Sequence, residues 1–348
     1  MRRAWLVVGR QQTSLSFRLD RRVPVWLLGL AGAALVASVL SVGVGEYPIS
    51  SLDVIRAVLG LETGNPDHSF IVRTLRLPRV LVALGIGAAL AVSGVIMQGL
   101  TRNPLASPEL TGVTAGASLA AVVLLVATPA ASVVALPWAA LLGAVIAAGL
   151  VYLLSWRGDD SPLRLILVGI GLTSIIGALT TVMVTFGEID DVARALVWLT
   201  GSVYGTSWEG LRALVPWMAV FLPAALILAR HLDVLHLGED VARGLGSRVE
   251  LQRGLLLLTA AALVAATVTV AGTVGFVGLI APHIARRLVG PSHEGVLPTA
   301  ALTGSLIVVL ADLLGRTLFA PVEIPCGVVT AVIGAPFFMY LLYRNRNN

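Results

Sequence analysis

The chain has 348 residues, of which 57% are hydrophobic and only 12% are charged, and its mean hydropathy is +0.91. This composition lies far outside the range of soluble globular domains and predicts that lipid solvates most of the chain. All 24 basic residues are arginine. The lack of lysine excludes a phosphate-binding loop of the G-x-x-x-x-G-K-[ST] type, so we do not expect the chain to hydrolyse ATP by itself.

Ten apolar windows are candidates to cross the roughly 30 Å of membrane hydrocarbon as α-helices. They cover residues 24–44, 75–100, 107–128, 133–155, 163–186, 211–229, 254–272, 274–290, 297–317 and 324–343. The weakest are 107–128, which can begin partway into the membrane, and 274–290, which carries a proline, a histidine and two arginines. The sequence therefore predicts an all-α polytopic membrane protein: a basic arm at residues 1–23, then one transmembrane domain at residues 24–348.

The arginines predict the orientation of this domain. Six of them lie within the first 22 residues, so the positive-inside rule places the N-terminus in the cytoplasm. Ten crossings then return the C-terminus to the same side, and most of the remaining arginines fall in cytoplasmic loops. Because orientation accounts for the positive charge, we expect contact with lipid and no nucleic-acid partner.

The stretch from Leu75 to Ser118 joins two Gly/Ala-rich spans through a tight polar turn, Arg102-Asn103-Pro104. Small residues let helix backbones approach closely, which makes helix packing the simplest interpretation. The alternative is a pathway lined by small and weakly polar side chains. Its candidate members are Gln98, Thr111, Thr114 and Ser118.

Asp312 is the only acidic residue deep in a predicted span, where an ionisable side chain is costly without a partner. Arg316 lies one helical turn later and is the simplest partner. An ion-gradient-driven secondary transporter would be expected to carry paired ionisable groups at mid-membrane and broken helices in both halves. This second class of protein is therefore disfavoured.

The predicted cytoplasmic loop at residues 231–253 contains a short amphipathic helix. Leu237, Val241 and Leu245 repeat every four positions, and a Glu–Arg pair at the same spacing lies on another face. Such a helix, held between two spans, can dock a soluble partner. It can equally be a connector whose apolar stripe rests on the bundle or on lipid headgroups, and the pattern does not decide between the two.

Three stretches of the chain resemble the iron-siderophore and cobalamin permease family of ABC importers. They are the hairpin at residues 75–118, GTVGFVGLIAPHIARRLVG from Gly272 to Gly290, and the closing segment from Leu310 to Arg344. The resemblance implies a type II ABC importer fold, in which two ten-helix permease subunits, identical or not, surround a central pathway. It also implies two cytoplasmic ATPase subunits that bind ATP and Mg²⁺, and an extracytoplasmic binding protein that delivers cargo.

The motif R-N-P-L-A-S-P-E and the stretch A-P-H-I-A-R-R are most similar to ferric-siderophore permeases of the ferric-enterobactin type. The resemblance therefore implies a ferric siderophore as the cargo. A cobalamin or haem importer of the same family is the alternative. No cofactor or metal is expected on this chain.

The resemblance also implies roles for individual residues. Arg76, Arg79 and Arg316 match arginines that receive acidic residues of the binding protein, which competes with the pairing of Arg316 to Asp312. The helix after the sixth span matches the element that couples the permease to the ATPase. On this chain that element comprises Leu237, Gly238, Glu239, Asp240, Val241, Ala242, Arg243, Leu245 and Gly246.

Overall fold

A computed structural model describes residues 5–8, 17–128, 135–155 and 162–345. Two short strands, β1 (Trp5–Val8) and β2 (Phe17–Asp20), pair antiparallel, with Trp5 opposite Asp20. The predicted basic arm therefore contains a two-stranded ribbon, which its composition did not indicate.

The rest of the described chain is helical. The helices are α1 (Arg22–Gly43), α2 (Ser51–Leu59), α3 (Pro66–Phe70), α4 (Leu77–Thr101), α5 (Val113–Ala127), α6 (Leu136–Ser155), α7 (Pro162–Phe186), α8 (Ile189–Leu199), α9 (Trp208–Ile227), α10 (Ala229–His236), α11 (Glu239–Gly244), α12 (Val249–Ala271), α13 (Val277–Val289), α14 (His293–Thr317) and α15 (Cys326–Asn345). A π-helical turn, Ile71–Arg76, joins α3 to α4, and a 3₁₀ turn, Pro108–Thr111, precedes α5.

Eight helices in the described ranges are long and apolar enough to cross a membrane, and each corresponds to a predicted span. The other two predicted spans are shorter helices, α5 with 15 residues and α13 with 13. Backbone breaks shorten both. Gly112 has a φ of 71° before α5, and Gly272 and Phe276 have φ of 69° and 66° before α13. The all-α polytopic membrane fold is thus confirmed, with two of its ten helices incomplete.

Helix α4 lies at the centre of the bundle and is buried along almost its whole length. It packs against α14, α12, α13 and α9. A Cβ added to Gly87 would lie 2.2 Å from the carbonyl oxygen of Gly304 in α14, and one added to Gly94 would lie 1.9 Å from that of Gly278 in α13. The small residues of this hairpin therefore allow backbone-to-backbone contact, as the packing interpretation predicts.

Candidate functional site

Polar residues form two groups at opposite ends of α4 and α14. One group, the Arg79 cluster, consists of Arg79, Asp312, Arg316 and Glu323. The other, the α11 loop, comprises α10, α11 and the residues that join them to α9 and α12. A Cβ added to Gly99 in the last turn of α4 would lie 2.7 Å from Leu232 of α10. At 1.5 Å per residue, about 30 Å of helix separate Arg79 from Gly99.

In the Arg79 cluster, one guanidinium lies between two carboxylates. Arg79 Nη2 donates to Asp312 Oδ1 at 2.8 Å, and Nε lies 3.1 Å from both carboxylate oxygens of Asp312. Its other edge faces Glu323, with Nη2 to Oε2 at 2.9 Å and Nη1 to Oε1 at 3.4 Å. The side chain of Asp312 is 3% exposed and that of Glu323 is 35% exposed. Arg79 is therefore held by a buried acid on one side and an accessible acid on the other.

The expected pair between Asp312 and Arg316 is only partly correct. Arg316 Nε lies 3.9 Å from Asp312 Oδ2, too far for a hydrogen bond. Instead, Arg316 Nη2 donates to the carbonyl oxygen of Ser41 and to its hydroxyl. The closer partner of Asp312 is Arg79, which is 233 residues away in sequence.

Arg76 stabilises the end of α1. Its Nη1 donates to the carbonyl oxygen of Val42 at 2.7 Å and to that of Gly43 at 3.3 Å, and its Nη2 donates to the carbonyl oxygen of Tyr47 at 2.7 Å. The last carbonyl groups of a helix have no partner within the helix, so these bonds satisfy the end of α1.

The three arginines that resemble docking residues are therefore all bonded inside the chain. The side chain of Arg316 is only 6% exposed, so it is closed to a partner protein in this structure. Arg79 differs from the other two because the carboxylate on its accessible edge is itself partly exposed. Docking by Arg76, Arg79 and Arg316 stays a prediction, and Arg79 is the one of the three whose bonded acid is partly exposed.

In the α11 loop, the helix is shorter than the predicted segment Leu237 to Gly246. Gly238 and Gly246, with φ of 116° and 81°, flank it, and glycine adopts such angles at little steric cost. Leu237, Val241 and Leu245 are 63%, 50% and 66% exposed. These three side chains are therefore not buried against the bundle. Docking of a soluble partner and contact with lipid headgroups both stay predictions.

Ion pairs hold α11 against the start of α12. Glu239 accepts from Arg253 and lies 3.8 Å from Arg243 Nη2. Arg243 makes its shorter bond to Glu250, at 2.7 Å. That bond raises the pKa of Arg243 above its ordinary value. The predicted pair between Glu239 and Arg243 exists, but the tighter bonds tie α11 to the next helix.

Two further contacts hold α10 to the first turn of α14. Asp233 Oδ1 accepts from the backbone N–H of His293 at 3.1 Å and lies 2.5 Å from its Nδ1. Arg230 Nε donates to Glu294 Oε1 at 2.6 Å. Ser292, the N-cap residue of α14, makes no side-chain cap bond of its own. An acid near the start of a helix stabilises its unpaired N–H groups and its dipole. Asp233 serves as this cap from another helix.

Two of the four pathway candidates are buried, one lines a cleft, and the side chain of the fourth is not described. Gln98 is buried, accepts from Arg286 and lies 3.4 Å from the carbonyl oxygen of Gly278, so it joins α4 to α13. Ser118 is buried in α5, while Thr114 lines a small cleft between the 3₁₀ turn and the break before α13. The side chain of Thr111 lies outside the described part of the chain. Gln98 thus makes a packing contact between α4 and α13, Thr114 borders a small cleft, and a pathway role for any of the four stays a prediction.

Eight apolar spans and two shortened helices in the described part of the chain define a polytopic integral membrane protein. The same fold occurs in a chain described as an inward-facing conformation of a metal-chelate type ABC transporter. That chain is 33% identical with a TM-score of 0.83, over 92% of this chain and 99% of the other.

This chain belongs to the FecCD transport family, whose model matches residues 33–344. It is 44% identical to the achromobactin transport system permease of Dickeya dadantii, over 95% of each chain. It is also 44% identical to an Fe(3+)-citrate import system permease of Bacillus subtilis, over 93% of this chain and 96% of the other.

Membership of this family confirms the resemblance drawn from the three sequence stretches. The chain is a transport permease subunit and not an enzyme. A permease of an ABC importer works with a partner ATPase and a substrate-binding protein, so two kinds of soluble partner need surfaces on this chain.

Proposed function

We propose that this chain is one of two permease subunits of an ATP-driven importer that carries a ferric siderophore into the cytoplasm. In this proposal both termini and the α11 loop face the cytoplasm, where two ATPase subunits bind ATP and Mg²⁺. The binding protein delivers cargo at the Arg79 end. ATP binding moves the α11 loops, and the membrane helices then change from opening on one side to opening on the other. The chain itself holds no cofactor.

The exposure of three apolar side chains in the α11 loop, Leu237, Val241 and Leu245, is the observation that carries this proposal. Exposed leucine and valine side chains favour a partner that covers them, since burying one contributes about 1.5–3 kcal/mol. The pairs from Glu239 and Arg243 to α12 hold the helix in place. Val241 lies on α11 and Leu237 and Leu245 flank it, so this exposed apolar cluster, held by ion pairs, suits a groove on a soluble subunit.

Replacing Val241 and Leu245 together by aspartate is expected to release the ATPase subunit, because two carboxylates would be buried without partners in its groove. Co-purification of the ATPase with tagged permease, after detergent extraction, measures this. Leu52 and Leu59 of α2 are 57% and 68% exposed and lie toward the Arg79 end. Their double aspartate variant is the matched control and is expected to keep the ATPase. If both variants lose the ATPase subunit equally, or if both retain it, the result would count against α11 as the coupling element.

The ferric cargo is supported by the relatives' names and by the R-N-P-L-A-S-P-E motif, and uptake can test it directly. In a strain lacking this permease, the restored gene is expected to return uptake of iron-55 as a ferric catecholate siderophore. Ferric citrate and radiolabelled cobalamin serve as the competing substrates. Rescue of cobalamin uptake alone would replace the ferric assignment with the cobalamin alternative.

The pair between Arg230 and Glu294 offers a further test of coupling. Arg230→Glu is expected to reduce uptake about fivefold or more, the lower end of typical coupling energies, because like charges would push α10 away from α14. ATP hydrolysis by the assembled transporter is expected to continue. Glu294→Arg in the same chain restores the opposite charges, so the double variant should regain uptake. If the double variant behaves as the sum of the two single variants, the pair has no role in coupling.

A further inference from the structure

The two acids bound to Arg79 differ in accessibility. Asp312 is 3% exposed and is fixed by three close contacts to the guanidinium. Glu323 is 35% exposed and lies in the connection between α14 and α15. In that connection Phe319 and Val322 are 59% and 66% exposed, so Glu323 belongs to a surface segment. Only the bond to Glu323 can be exchanged without opening the bundle.

We propose that Glu323 occupies the place that an acidic side chain of the substrate-binding protein takes on docking, and so acts as a built-in competitor for Arg79. This inference rests on the proposed docking at the Arg79 end. It states what the edge of Arg79 that now faces Glu323 would bind, namely a single carboxylate of the binding protein. It also explains how an arginine already paired inside the chain can serve a partner.

The geometry of Arg79 shows that its accessible edge recognises a carboxylate. Both terminal nitrogens face the two oxygens of Glu323, at 2.9 and 3.4 Å. This forked arrangement is the one in which arginine binds carboxylates most selectively. The ring of Tyr204 lies 5.5 Å from Arg79 Cζ and is 69% exposed, so it borders the same edge. An incoming acid would meet a guanidinium already oriented for it.

The contacts of Arg79 explain why displacement is required. Its Nε and Nη2 face Asp312, and its Nη1 and Nη2 face Glu323. An acid that arrived while Glu323 stayed bound would find no terminal nitrogen of Arg79 without a carboxylate partner. If Glu323 swings into solvent, one carboxylate replaces another and Arg79 remains paired throughout. Exposed ion pairs are individually weak, so this exchange costs little.

The experiment measures the affinity of the purified binding protein for the complete transporter, with its ATPase subunits, in lipid nanodiscs. Glu323→Gln is expected to tighten binding about 3- to 10-fold by removing the competitor. Arg79→Gln is expected to weaken it. In the Arg79→Gln background, Glu323→Gln should have no further effect, because the two residues act through one contact. Glu323→Asp keeps the carboxylate, so its affinity for the binding protein should lie closer to that of the unmodified transporter than the affinity of Glu323→Gln does.

Glu62 provides the matched control for net charge. It is exposed, and it lies between α2 and α3 near the same end of the bundle. Glu62→Gln is expected to change the affinity less than Glu323→Gln. Equal tightening in both variants would show a general effect of charge and overturn the inference. Weaker binding in Arg79→Gln, without tightening in Glu323→Gln, would also overturn it while the docking proposal stands. Unchanged binding in Arg79→Gln would overturn docking at Arg79 and the inference with it.

Discussion

Replacing Asp312 by alanine is expected to lower the free energy of unfolding by about 3–5 kcal/mol, the usual cost of removing one partner from a buried ion pair. Asp312 is the buried acid that faces both Arg79 and Arg316. Without it, Glu323 is the one acid still bonded to Arg79 among the described residues, and Arg316 keeps its bonds to Ser41. Size-exclusion chromatography after heating in detergent measures how much monodisperse protein remains. The variant is expected to lose it at a lower temperature than the unmodified protein.

Glu323→Ala is the matched control for this variant, because it removes the other acid bound to the same guanidinium. Its side chain is partly exposed, so the expected loss is no more than about 1 kcal/mol. The difference between the two variants isolates the effect of burial. If both lose the same stability, Asp312 does not balance the charges of the cluster in the way that the geometry indicates.

Replacing Gly94 by alanine is expected to destabilise the bundle by about 3 kcal/mol, the upper end of the range for overpacking. A methyl group at this position would lie 1.9 Å from the carbonyl oxygen of Gly278. The atom that it meets belongs to the backbone of α13, so no change of rotamer relieves the clash. The helices α4 and α13 must separate, which also disturbs the contact of Gln98 with Gly278.

Gly177 in α7 provides the control, because a Cβ added there would meet no atom within 4 Å. Both substitutions remove a helical glycine, and alanine favours the helix by about 1 kcal/mol at each position. Gly177→Ala should therefore be neutral or stabilising, as measured by the same thermal assay. A Gly94→Ala protein as stable as Gly177→Ala would contradict the close contact between α4 and α13.

The sequence predicts the helices well because crossing a membrane is a local property of about 20 residues. It does not predict where the backbone interrupts them. The window 274–290 is apolar enough to suggest a span, yet the positive φ angles of Gly272 and Phe276 delay the start of α13 to Val277. Apolar composition does not reveal such a break, since Phe276 gives no signal of a left-handed conformation.

Partners are harder to predict when they are far apart in sequence. The spacing rule for one helical turn pairs Asp312 with Arg316, whereas packing of α4 against α14 brings Arg79 closer. Ser292 likewise looks like an ordinary N-cap residue, but Asp233 from α10 performs that role.

The pattern of α11 is different again. It predicts that three apolar residues share one helical face, but Gly238 interrupts the helix after Leu237, and Leu245 follows the end of α11. The structure shows instead that all three side chains are exposed in the described chain.

The backbone contact of Gly87 with Gly304 has a mechanical consequence. Where two helices touch through backbone atoms, no side chain can deform to let one slide past the other. We therefore expect the helices α4 and α14 to move together as one rigid unit. Because Asp233 binds the first turn of α14, we expect a displacement of α10 to tilt the pair α4 and α14 and so to move Asp312, with the spacing of the two helices unchanged. At 1.5 Å per residue, the 25 residues of α14 span about 37 Å, which exceeds the roughly 30 Å of membrane hydrocarbon.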